Sequence, residues 1–427
     1  MSDFKIETKC VQGAYQPENG EPRVMPIYQS TTYKYDSSEH LGKLFDLKAP
    51  GHMYSRISNP SLAYLEDKVA MLEGGIGAMF TSSGQAANLM AVLNITSSGQ
   101  NIISLSSIYG GTINLFAVSL KKLGIETRFI TPDMTDEEID KVFDENTRLV
   151  FGETIANPAL NVLDIERYAN IAHKHGVPLV VDNTFATPVL CRPFEFGADI
   201  VVHSTTKYMD GHAQVVGGMV VDSGKFNWEN GNFPELCEPD ESYHGVVYTR
   251  DFSEAAYITK ARVQLMRDFG STPSPMSAFL VNTSLETLHL RMERHSENAM
   301  KVAAFLENNE DIAWVNYPLL ESNPDYNIAK KYLPKGASGV ISFGVKGGRE
   351  AATKFMDSLK IAAIVVHVAD SRTCVLHPAS TTHRQLTDEQ LVDAGITPDL
   401  IRMSVGIENA EDIINDIKQA LEAVKCQ

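Results

Sequence analysis

The sequence predicts an α/β fold, a mainly parallel sheet covered by helices, on two observations. Short β-branched runs are apolar on both faces, and helix-length amphipathic segments separate them. The runs begin near residue 75 and read NIISLSS, ETRFITP, TRLVFGET, VPLVVDNT, ADIVVHS and GGMVV, with a further strand end at FTSSGQ. A strand that is apolar on both sides has to be buried on both sides, which is the situation between two helical layers. At 427 residues and 43% apolar content the chain can bury a large core and divide into two domains with an N-terminal arm.

Residues 1–62 are rich in Pro, Gly, Tyr and Ser without periodicity, and read as an arm that packs on another subunit or domain. The parallel-sheet pattern occupies 63–270. Within it, the stretch from Asp222 to Tyr243 is a Gly-, Asn-, Pro- and acid-rich excursion, followed by the helical SEAAYITKARVQLMRDFG and the breaker STPSPM. The long helical pattern AFLVNTSLETLHLRMERHSENAMKVAAFLENN then leads into a smaller α+β domain, so that 271–427 forms the C-terminal unit.

A net charge of −17, without Lys and Arg interleaved with aromatics, argues against nucleic acid as a partner. No run approaches the roughly 18 apolar residues that cross a bilayer, and MSDFKIETKC has no apolar signal core, so no membrane partner and a cytoplasmic location are expected. Cys10, Cys191, Cys237, Cys374 and Cys426 are scattered, without the close pairs of a zinc or redox site, and are read as free thiols. His173 and His175 in IAHKHGVP read as surface histidines at a helix end, and no metal is expected.

Four separated pieces carry chemistry. In FTSSGQAANLMAVL, Ser83, Gly84 and Gln85 open a helix whose free N–H groups suit a phosphate, although Ser before a helix is equally an N-cap. Asp182 closes the strand of VPLVVDNTFATP, at the edge where such sheets bind ligands, or else caps a turn. ADIVVHSTTKYMDGH runs from a strand into Ser204, Thr206 and Lys207, a setting poorly suited to a merely solvated lysine. Those three meet the needs of pyridoxal 5'-phosphate (PLP): Lys207 for the imine, Asp182 to keep the ring nitrogen protonated, and Gly84, Gln85, Ser204 and Thr206 as phosphate donors. The fourth piece, SSIYGGT, places Tyr109 at a strand–helix junction, where it stacks on the pyridine ring or fills the core. In DLIRMSVGIE, Arg402 offers a planar fork to an α-carboxylate or to a structural ion pair. Walker A, dinucleotide and nucleophile-elbow motifs do not occur.

With Tyr54-Ser-Arg56-Ile-Ser-Asn59-Pro60, SSGQAA, YGGT, ETIANPAL, VDNTFATP, HSTTKY, HPASTTH and RMSVGIE in this order, the chain resembles, over almost its whole length, the cysteine and methionine metabolism family of PLP enzymes. The resemblance implies the PLP-dependent transferase fold (aspartate-aminotransferase-like, fold type I), with a seven-stranded sheet and a smaller C-terminal domain. It implies homotetramers of two catalytic dimers, in which Tyr54 and Arg56 reach the neighbour's phosphate. It also assigns Asn157, Thr373 and Arg402 to the substrate carboxylate, and Tyr109 or Tyr54 to proton transfer. Thr373 stands where many relatives have serine, and Gln85 replaces a common methionine.

PDESYHG and HPASTTH are similar to the O-acetylhomoserine sulfhydrylase branch, which implies O-acetylhomoserine and sulfide as substrates. Methionine γ-lyase and cystathionine γ-synthase-like replacement are the alternatives within the family, and a non-catalytic scaffold is the alternative outside it. Lyases carry a cysteine where this chain has Gly111.

Overall fold

The computed structural model describes residues 4–381 and 397–425; Cys426, and Thr382 and His383 of HPASTTH, lie outside them. The strands of the main sheet are β1 (Gly77–Thr81), β2 (Asn101–Leu105), β3 (Glu126–Ile130), β4 (Thr147–Glu153), β5 (Leu179–Asp182), β6 (Ile200–His203) and β7 (Gly218–Asp222). Their order is β1-β7-β6-β5-β4-β2-β3, and each coincides with one of the runs read in the sequence. All pairs are parallel except those of β7, which runs antiparallel to both β1 and β6. Every residue of β2, β4, β6 and β7 is buried, as their apolar centres require.

A second sheet follows, formed by β8 (Ile312–Asn316), β9 (Val340–Val345), β10 (Ala363–Ile364), β11 (Cys374–Leu376) and β12 (Leu400–Ser404) in the order β10-β11-β12-β9-β8. The 20-residue helix Leu288–Glu307 leads into it.

The arm is tied down by Asn59. This residue is fully buried, caps the helix Pro60–Glu73 through the Ser61 N–H, and donates to Tyr28 O and to the hydroxyls of Tyr33 and Ser55. The Asp222–Tyr243 excursion is an aromatic plug. Trp228 stacks on Tyr257 with ring centroids 5.2 Å apart and meets Phe233 edge-on at 5.0 Å, and all three are buried. The His-x-His pair does lie at a helix end, but each ring is bound to a carboxylate. His173 Nε2 lies 2.7 Å from Asp199 Oδ2, and His175 Nε2 lies 2.8 Å from Asp140 Oδ1. His175 is partly buried and stacks on Phe143, so it is not simply a surface histidine. Among the described residues no helix is long and apolar enough to cross a membrane.

Candidate active site

In a parallel sheet the strands' C-terminal ends share one edge, and four neighbouring strands here place a polar residue on it. β6 runs into Ser204–Lys207, β5 ends on Asp182, β4 ends on Glu153, and Tyr109 follows β2.

The helix Gly84–Leu93 begins at the same edge. Ser83 is extended, and its hydroxyl accepts the Ala86 N–H at 3.1 Å, so its side chain serves as the N-cap. The Gly84 and Gln85 amides are left at the positive end of the helix, where no intrahelical acceptor exists. Gly84 has to be glycine, because a Cβ there would lie 2.7 Å from the Ser204 Cβ. Ser204 is thereby pressed against the helix start, and the two form a cradle for an anion. Thr206 is less free than expected: its hydroxyl donates to Gly217 O at 3.2 Å and accepts the Gly217 N–H at 3.0 Å.

Asp182 caps a turn, one of the two roles open to it. Its Oδ1 accepts the Thr184 N–H at 2.9 Å and the Thr184 hydroxyl at 2.5 Å, closing a turn, while Oδ2 has no hydrogen bond among the described residues. The Thr184 hydroxyl in turn accepts the Ser204 N–H at 2.8 Å, so one side chain links the carboxylate to the phosphate turn. Lys207 is partly buried, and its amine has no hydrogen-bond partner among the described residues. Burial first, and then the Arg402 charge, pull it down to about 8. A lysine so depressed is about one-tenth neutral at pH 7 and about half neutral at pH 8, which supplies the amine that attack on an aldehyde requires.

Tyr109 is 49% exposed and therefore not a core tyrosine. Its N–H donates to Glu153 Oε1 at 2.7 Å. Its ring leaves no room beside it, since a Cβ on Gly111 would lie 2.5 Å from Tyr109 Cε1 and 2.9 Å from Gln85 Nε2.

Arg402 reaches over from β12 in the second sheet. It is only 7% exposed, yet its guanidinium meets neutral acceptors: Asn157 Oδ1 at 3.2 Å, Val366 O at 3.3 Å and His367 O at 3.5 Å. No carboxylate pairs with it among the described residues, which removes the structural ion pair as its explanation. The neighbouring run, with Ile361, Ile364, Val365 and Val366 exposed, borders this anchor with apolar side chains.

Thr373 departs from expectation. Its hydroxyl donates to Glu408 Oε2 at 2.8 Å and accepts the Gly406 N–H at 2.9 Å, and its own N–H donates to Glu408 Oε1 at 2.6 Å. Those bonds and its 1% exposure leave its hydroxyl engaged with Glu408 and Gly406. Tyr54 and Arg56 lie on the exposed arm, with the Arg56 guanidinium 5.3 Å from the Tyr54 ring centroid and donating to Arg267 O. Neither makes a hydrogen bond to the cradle of its own chain. Thr184 and Glu153 were missed in the sequence. The signal for Glu153 was present, since it closes LVFGE as Asp182 closes LVVD.

The donor set fits PLP: a cradle that excludes a Cβ, an acid with a free oxygen, a depressed lysine and an exposed aromatic face. Gly84, Gln85 and Ser204 would hold the phosphate, with the expected Thr206 hydroxyl already engaged by Gly217, Asp182 the ring nitrogen, Tyr109 the ring face and Lys207 the aldehyde carbon. Fold and site thus define a PLP-dependent enzyme of fold type I.

The chain belongs to the Cys/Met metabolism PLP-dependent enzyme family, whose model matches residues 7–422. It is 44% identical to the O-acetyl-L-homoserine sulfhydrylase of Leptospira meyeri over 99% of this chain and 98% of that one. It is 46% identical to the homocysteine/cysteine synthase of Saccharomyces cerevisiae, over 94% and 93% of the two chains. A crystal structure of a putative O-acetylhomoserine (thiol)-lyase from Campylobacter jejuni, containing N'-pyridoxyl-lysine-5'-monophosphate, superposes with a TM-score of 0.94 at 39% identity, covering 98% of this chain and all of that one.

Proposed function

We propose that the protein forms L-homocysteine and acetate from O-acetyl-L-homoserine and sulfide, with PLP held on Lys207. The observation that carries this reading is the buried Arg402 guanidinium with only neutral acceptors, an anchor awaiting an α-carboxylate. Similarity to sulfhydrylases over nearly the full chain supports the choice of ester and nucleophile.

Bound PLP supplies the electron sink for the pair left behind when a proton leaves Cα. Asp182 keeps the ring nitrogen protonated, its Oδ1 fixed by Thr184 and its Oδ2 free for that contact. Arg402 and Asn157 hold the carboxylate, which presents Cα–H to the Lys207 amine. Lys207 takes that proton and later returns one, and Tyr109 or Tyr54 of a second copy moves a proton at the leaving group. The Cγ–O bond breaks to release acetate, and sulfur bonds to Cγ with loss of one proton from hydrogen sulfide. Nothing is oxidised or reduced. Tyr54 and Arg56 complete the site of a neighbouring copy, in a cytoplasmic homotetramer of two catalytic dimers. The close packing of the Tyr109 ring on Gly111 favours replacement over elimination, since the cysteine of lyases would collide with that ring.

The test is a visible absorbance spectrum followed by O-acetylhomoserine with and without sulfide, assaying homocysteine and ammonia. The expected result is a band absent in Lys207→Ala and homocysteine only with sulfide. Ammonia released regardless of sulfide would transfer the protein to the lyases, and no band after adding PLP would overturn the cofactor assignment to Lys207.

A further inference from the structure

Glu153 is a carboxyl group that the reaction above does not use, in the middle of the groups that it does use. It is 7% exposed and, in the register of the parallel pair β4–β5, stands directly beside Asp182. Its Oε1 accepts the Tyr109 N–H at 2.7 Å, and the backbone N–H of Asn157 lies near the same carboxyl. Asn157 in turn receives Arg402 Nη1 at 3.2 Å. One carboxyl group therefore joins the loop bearing the stacking ring to the loop that orients the carboxylate anchor.

We propose that Glu153 is a positioning residue that fixes Tyr109 over the cofactor ring and Asn157 beneath Arg402, acting as a hydrogen-bond acceptor and not as a charge. This rests on the assignment of Tyr109, Asn157 and Arg402 to the ring and the amino-acid carboxylate. Two ionised carboxylates side by side would repel, and the Thr184 bonds favour the charge on Asp182. Burial, followed by the Asp182 charge, raises Glu153 well above the ordinary carboxyl range, which favours its neutral form and leaves the charge to Asp182. A neutral acid still accepts N–H bonds, and so does the oxygen of a glutamine.

The experiment compares Glu153→Gln and Glu153→Ala as PLP-loaded proteins. The readouts are the visible circular dichroism of the bound cofactor, which reports ring orientation, and the affinity for L-norvaline, an amino acid without a γ-leaving group, followed by its spectral change. Apo-protein thermal unfolding is measured in parallel. Glu153→Gln should stay within about threefold of the parent in norvaline affinity with the dichroism retained, whereas Glu153→Ala should lose about 30-fold with an altered dichroic band. Restored dichroism and affinity in the Gln variant separate positioning from mere stability. A Glu153→Ala variant that only unfolds earlier, or a Gln variant as damaged as the Ala variant, would overturn the proposal. Norvaline needs neither ester nor sulfide, so failure of the homocysteine assay in the parent protein would be seen separately.

Discussion

Replacing Arg402 with methionine removes the guanidinium while keeping an unbranched, similarly long side chain in β12. The structure sets the size of the effect. Arg402 is buried with three neutral acceptors and no carboxylate among the described residues, so its charge is left for the substrate. Two charge-assisted hydrogen bonds to a carboxylate contribute about 1.5–3 kcal/mol each. At about 1.4 kcal/mol per decade, their loss lowers kcat/KM for the amino-acid substrate by roughly 10²- to 10⁴-fold. Lysine restores little, since a point charge on a shorter reach cannot make the paired contact. Initial rates at varied ester and fixed saturating sulfide, and then the converse, would place the loss on the ester, with the cofactor band retained. A change of less than threefold, or one confined to the KM for sulfide, would refute the assignment of Arg402 as the anchor.

The Lys207 amine, pulled down to about 8, should make PLP uptake by the apoprotein pH-dependent. Only the neutral amine attacks, so the uptake rate rises by about fivefold between pH 7 and 8 and levels off above about pH 9. Because its folded pKa lies below the ordinary lysine value of 10.5, the unfolded chain binds the extra proton between about 8 and 10.5, and this group's contribution to stability rises with pH across that window. Chemical denaturation of apoprotein and of Lys207→Met at pH 8 and 10 checks the sign. Gly111→Cys places a side chain 2.5 Å from Tyr109 Cε1 and should lower homocysteine formation by at least about tenfold with the cofactor retained, measured by turnover per bound PLP.

Most strands of the main sheet were legible because they are buried on both faces, so burial wrote itself into an apolar run; the edge strand β3 is only partly buried. The direction of β7 was not legible. GGMVV has the same composition whichever way it runs, and its reversal follows from the connections around it. Lys207, Asp182 and Arg402 stood out because a charge on an apolar strand, or closing one, is costly unless it is used. Hydroxyls gave no such signal. Thr373 and Thr206 look available in sequence, and only the folded chain shows Glu408, Gly406 and Gly217 claiming them. Thr184 was overlooked for the same reason, since its value lies in bonding Asp182 and Ser204 together.

The groups assigned to PLP within one chain all stand on the edge of the first sheet, whereas the anchor for the amino acid comes from the second. That separation makes reactivity and selectivity independently heritable. Changes among residues 361–376 and 400–408 can retune which amino acid is held, while the electron sink and its acid stay intact. A lineage built on this plan can explore new substrates without passing through an ancestor that has lost its chemistry.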